Sequence, residues 1–119
     1  MKSVLLTIIL FVAAIACRAQ SVNISGTVND KKLHLKWSID SNELTDRFEV
    51  EKSYDGINFT TAALVFTSEK KGSEEYKFYE AAPPAGTIYY RLKIWNYNNG
   101  IIFSKVLSFP FKQEKKNDS

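Results

Sequence analysis

From Val22 onward apolar and polar side chains alternate with a period of two almost throughout, and no stretch carries the helical period. "VNISGTV" (22–28) and "LHLKWSI" (33–39) are two such runs around the polar turn "NDKK"; in the second, Leu33, Leu35, Trp37 and Ile39 share one face, His34, Lys36 and Ser38 the other. The polar stretch "DSNELTD" breaks the pattern, and "FEVEK" (48–52) resumes it with Phe48 and Val50 opposed to Glu49 and Glu51. Asp55-Gly56 predicts a type I′ hairpin turn, whose two central positions need positive φ, with "FTTAALVF" as the return strand. A polar loop, "TSEKKGSEE", leads to "YKFYE", and "APPAG" turns the chain again because proline restricts φ and lacks the donor a ladder needs. "TIYYRLKIW" points Ile88, Tyr90, Leu92 and Ile94 inward and Tyr89, Arg91, Lys93 and Trp95 outward; after "NYNNG" the run "IIFSKVLSF" returns. Apolar residues of both parities in that last run mean that it buries both faces locally or is an edge covered by another chain. Seven short strands spaced by turns predict an all-β, seven-stranded antiparallel immunoglobulin-like sandwich, with Trp37, Phe48, Val50, Tyr90, Leu92 and Ile94 in its core.

The first residues do not belong to this pattern. Lys2 is followed by the apolar stretch from Val4 to Ala16, which is shorter than the roughly 20 residues a spanning helix needs and has the form of a secretory signal peptide. Cys17 and Ala19 are small enough for cleavage after Ala19, giving a free domain that starts at Gln20; "AIAC" also reads as a lipobox that would make lipidated Cys17 the N-terminus. The chain thus divides into a signal peptide (1–19), one domain (20–111) and a polar tail (112–119). Cys17 is the only cysteine, so an exported domain would fold without an internal disulfide. The full chain carries 16 basic and 13 acidic residues; with Lys2 and Arg18 removed the domain is nearly neutral, which gives no electrostatic case for nucleic acid.

Trp37, "FEVEKSYDGINF" (48–59) and "PPAGTIYYRLKIWNYNNGIIFSKVLSF" (83–109) together resemble the fibronectin type III-like modules of exported Bacteroidetes proteins, over essentially the whole domain. The resemblance implies a sandwich in which the third and sixth strands are neighbours, bringing Glu49 and Glu51 beside Lys93 and Arg91. It also implies a tyrosine near the start of the sixth strand; here Ile88 takes that inward slot and Tyr90 follows one inward step later. Modules of this kind often precede a sorting domain for type IX secretion, whereas this chain ends within ten residues of its last run. The expected location is the periplasm, the cell envelope or the medium, or a membrane if Cys17 is lipidated.

The candidate chemistry is sparse. His34 is the only histidine and faces away from the apolar side of its strand, so a Ser-His-Asp relay has no anchor. Asp40, Glu43 and Asp46 lack the glycine-punctuated spacing of a calcium loop, and clustered His or Cys for a transition metal is missing. Glu49 and Glu51 share a strand face roughly 7 Å apart, but a glycosidase pair needs a cleft and one raised pKa, whereas cross-strand ion pairs need neither. The outward set Tyr89, Arg91, Lys93 and Trp95, with Glu49 and Glu51, is the candidate face for a partner, since exposed Tyr, Trp and Arg dominate binding hot spots. The expectation is a non-catalytic, cofactor-free interaction or structural module that meets an envelope or extracellular protein; the alternative is a carbohydrate-binding accessory domain using the same aromatic face.

Overall fold

The computed structural model describes residues 22–81, 85–98 and 100–111. The signal segment with Cys17, the start at Gln20, the proline pair of the third turn and the tail from 112 lie outside the described residues. Within them the alternating runs become eight strands: β1 (Val22–Asn29), β2 (Lys32–Ile39), β3 (Thr45–Ser53), β4 (Thr60–Phe66), β5 (Glu74–Ala81), β6 (Gly86–Asn96), β7 (Gly100–Phe103) and β8 (Leu107–Phe111). A single 3-10 turn, Asn42–Leu44, occupies the stretch where alternation lapses. No helix among the described residues is long and apolar enough to cross a membrane.

All pairings are antiparallel and form two sheets, one in the order β1-β2-β5 and the other β4-β3-β6-β7, with β8 continuing along β6 beyond β7. Each sheet turns its apolar parity toward the other. Leu33, Leu35, Trp37 and Ile39 of β2 meet Phe48 and Val50 of β3 and Ile88, Tyr90, Leu92 and Ile94 of β6 in one buried cluster. The rims of the cluster are half-buried: Tyr76 and Phe78 of β5, Val65 of β4, and Leu107, Phe109 and Phe111 of β8. The result is a two-sheet antiparallel β-sandwich.

Three local features depart from the sequence reading. First, the last run is two strands. Lys93 faces Phe103 and Tyr90 faces Leu107, so three residues (Ser104, Lys105, Val106) oppose two (Arg91, Leu92). This bulge reverses the parity, which is why Ile102 points inward before it and Leu107 and Phe109 after it. The Ser104 side chain replaces part of the ladder: its Oγ accepts the Leu92 N–H at 2.8 Å, and its own N–H donates to the Leu92 carbonyl at 2.9 Å.

Second, Asp55-Gly56 is not a type I′ turn. Gly56 has φ +78° while Asp55 stays in the ordinary region, and the connection runs from Tyr54 to Phe59. Asp55 Oδ1 accepts the N–H groups of Ile57 and Asn58, both at 2.8 Å, so the aspartate side chain organises the loop from within. Third, the tight two-residue hairpin lies between β1 and β2, where Asp30 (φ 51°) and Lys31 (φ 60°) both adopt positive φ between the paired Asn29 and Lys32.

Candidate functional site

Strands β4, β3, β6 and β7 lie side by side, so outward residues line up in rows across them. Phe66, Arg47, Trp95 and Ile101 form one row; Leu64, Glu49, Lys93 and Phe103 form the next; Thr61, Glu51 and Arg91 form the third. The register places Glu49 opposite Lys93 and Glu51 opposite Arg91. Tyr89 lies one row further on, opposite Ser53, and its ring lies beneath the loop at Gly56, where a Cβ would come within 3.3 Å of it.

Only one of the two expected cross-strand ion pairs forms. Arg91 Nε donates to Glu51 Oε1 at 3.0 Å, and the guanidinium lies between the rings of Phe59 and Phe103, 4.0 and 4.4 Å from their centroids. Glu51 is only 8% exposed, so this charge-assisted bond lies where water is largely excluded. Glu49 instead accepts from Trp95 Nε1 at 3.0 Å and from Thr61 Oγ1 at 3.3 Å. The Lys93 ammonium lies 4.9 Å from the Trp95 ring centroid, and Arg47, which is paired with Asp46, lies 4.1 Å from the same centroid. The indole N–H reaches Glu49 diagonally, so the carboxylate is satisfied without Lys93.

Around these half-buried groups the large apolar side chains are open to solvent: Phe66 at 67%, Phe103 at 51%, Leu64 at 48% and Ile101 at 41%. None of them, nor Arg47 and Phe59, belongs to the face that the alternation of β6 alone defines. Arg47 was legible as the outward position before Phe48. Leu64 and Phe66 were not, because β4 slips by one residue at Ala62: Val50 pairs with Ala63 and Glu51 with Thr61.

Both ends of the sandwich are closed by polar groups. At one end Lys52, Glu80 and Tyr90 point between the sheets: Lys52 Nζ lies 2.6 Å from Glu80 Oε1, and the Tyr90 hydroxyl donates to Glu80 Oε2. Burial, and then the bond to Glu80, pushes the Tyr90 hydroxyl far above its ordinary pKa; the hydrogen bond to Glu80 raises Lys52 against the opposing effect of burial. At the other end buried Asn42 holds the loop after β4, donating from Nδ2 to the carbonyls of Ser68 (2.9 Å) and Lys70 (2.7 Å) and accepting from the Tyr76 hydroxyl.

Glu43, from the acidic stretch, accepts the Gly72 N–H at 2.8 Å, which holds its carboxyl below the usual range. Asp46 pairs with Arg47, so the two serve different contacts. Among the described residues no group of three or more His, Cys, Asp or Glu side chains is placed to hold a metal ion. His34 is half-buried on the outer side of the other sheet, edge-on to Tyr79 with centroids 4.8 Å apart. That outer side is otherwise polar, with Ser25, Thr27, Lys36 and Lys77 exposed. Compared with known proteins, the chain matches no protein-family model and no curated protein.

Proposed function

We propose that this domain is a non-catalytic binding module of an exported bacterial protein, with a fibronectin type III-like sandwich, and that it meets a protein partner through the outer face of β4-β3-β6-β7. The observation that carries the reading is the contrast between the two sheets. One outer face is polar, whereas the other presents Leu64, Phe66, Ile101 and Phe103 among Arg47, Arg91 and Trp95. Exposed apolar side chains gathered on one face, with arginines and a tryptophan locked among them, have the composition of a contact surface. The strand order supports the type of sandwich, since β3 and β6 are paired neighbours, as the resemblance implies.

Cation placement favours a protein over a sugar on this face. Arg47 and Lys93 lie over the indole, and Arg91 takes one side of both Phe59 and Phe103. A sugar ring stacking there would have to displace charges already held by Asp46 and Glu51. A photo-crosslinking residue at Phe66 or Ile101, in cells that produce the protein, is expected to join one discrete protein, with no such product from the same residue at Thr27. Absence of a product from both Phe66 and Ile101, or equal labelling from Thr27, would contradict the reading.

A further inference from the structure

The outer side of β1-β2-β5 contains a cleft of about 280 Å³, lined by Ser25, Thr27, His34, Lys36, Lys77 and Tyr79 over the main chain of Gly26 and Leu35. The register explains how it is built. Ser25, Lys36 and Lys77 form one cross-strand row and Thr27, His34 and Tyr79 the next. Two lysines therefore stand directly opposite each other across β2 and β5, a pairing that repels. Lys36 has partial compensation from Glu75, 3.9 Å away with both side chains about half exposed. Lys77 makes no ion pair within 4.0 Å among the described residues. Lys32 adds a third outward ammonium on the same strand as Lys36, so this face carries a local excess of positive charge although the domain is nearly neutral.

We propose that this cleft binds a carboxylate-bearing sugar residue of an acidic polysaccharide. The two ammonium groups of Lys36 and Lys77 bracket the carboxylate, whose charge would relieve their mutual repulsion. The Ser25 hydroxyl in the lysine row, and the Thr27 hydroxyl and His34 imidazole one row away, offer the donors and acceptors that ring hydroxyls require. Tyr79, 54% exposed beside His34, supplies an aromatic wall with no cation over its ring among the described residues, unlike the rings of the opposite sheet. An inorganic anion would use only the lysines; a neutral sugar would leave Lys77 without a counter-charge. The cleft lies on the sheet opposite the β4-β3-β6-β7 face, and neither site depends on the other.

The test is calorimetric titration of the folded domain with oligogalacturonate, with maltohexaose and inorganic phosphate as separate probes. Binding of the uronate is expected, at least tenfold weaker in Lys36→Gln/Lys77→Gln and in Tyr79→Ala, and weakened by added salt; maltohexaose and phosphate should bind at least tenfold less well than the uronate. No uronate binding at millimolar concentration would overturn the proposal. So would equal binding of phosphate or maltohexaose, or unchanged uronate affinity in the variants. Lys77→Glu separates the site from the fold: it places a carboxylate opposite Lys36, so it should raise the melting temperature while abolishing uronate binding. A lower melting temperature, or retained binding, would contradict the partly compensated lysine pair on which the site rests.

Discussion

Trp37 shows how a single position ties the two sheets together. Its ring lies 5.5 Å from Phe48 on the opposite sheet and 6.0 Å from Tyr76 on its own side, at 1% exposure, while its Nε1 finds no hydrogen-bond partner among the described residues. Its contribution is therefore packing. Trp37→Ala is expected to cost about 3–5 kcal/mol, much of the stability of a domain this small, and Trp37→Phe distinctly less because no indole hydrogen bond is lost. Melting curves of the two variants check this; a Trp37→Ala protein as stable as wild type would contradict the packing. Lys31 is the opposite case, a residue whose backbone is strained. With φ at 60° in the β1-β2 turn it adopts a conformation that glycine reaches without steric cost, so Lys31→Gly should raise stability by up to about 1 kcal/mol in denaturant titration. Residue types misled at this scale: Asp55-Gly56 has the composition of a type I′ turn, yet the aspartate caps its own loop, while the charged pair Asp30-Lys31 makes the tight turn because the β1-β2 register leaves only two residues to connect.

At the scale of the elements, alternation was enough to mark the strands and their buried parity, because a one-residue slip would turn a whole apolar row into water. It could not show where a strand carries an extra residue. The mixed parity of 101–109 was visible, but the bulge that reconciles it depends on Ser104 binding the Leu92 main chain, a long-range contact without a local signature. Deleting Lys105 would set two residues against two, a regular ladder in which Leu107, Phe109 and Phe111 still face inward. It is expected to cost only the Ser104 bonds to the Leu92 main chain, about 1–2 kcal/mol, whereas Lys105→Ala should stay within about 0.5 kcal/mol, both read by thermal melting. Gly26 of β1 makes the matching constraint on β8: a Cβ there would lie 2.5 Å from the tip of the Phe109 ring. The polar stretch around Asn42 was legible only as a break. Its side chain holds two carbonyls of the loop after β4 from a sequence distance of 26 and 28 residues. Asn42→Asp would set a carboxylate against those carbonyls, with an expected cost of about 2–3 kcal/mol and faster proteolysis within residues 68–72.

For the molecule as a whole, the sandwich has two polar ends and two unlike outer faces. The Lys52–Glu80–Tyr90 cluster gives one end a pH response. Tyr90 and Lys52 both have pKa values raised in the folded state, so the stability they contribute is fully present below about pH 10 and is lost as the pH rises toward the folded values. The denaturation midpoint should hold from pH 7 to 9 and fall above 10; Tyr90→Phe should be less stable at pH 7 but fall less steeply. The outer faces bear on function. One end of the candidate face was legible from the alternation of β6, but its exposed apolar part comes from β4 and β7, whose outward positions depend on two bulges. That division separates structural from contact residues: Glu51, Arg91 and Tyr89 are bound up in the sheet and its loop, while Phe66 and Ile101 stand free of the core. The most direct test is the double variant Phe66→Ser/Ile101→Ser, measured for thermal stability and for capture of the protein that crosslinks at these positions. The binding-module account predicts a stability change within about 1 kcal/mol together with loss of capture. Undiminished capture by the folded double variant would contradict it.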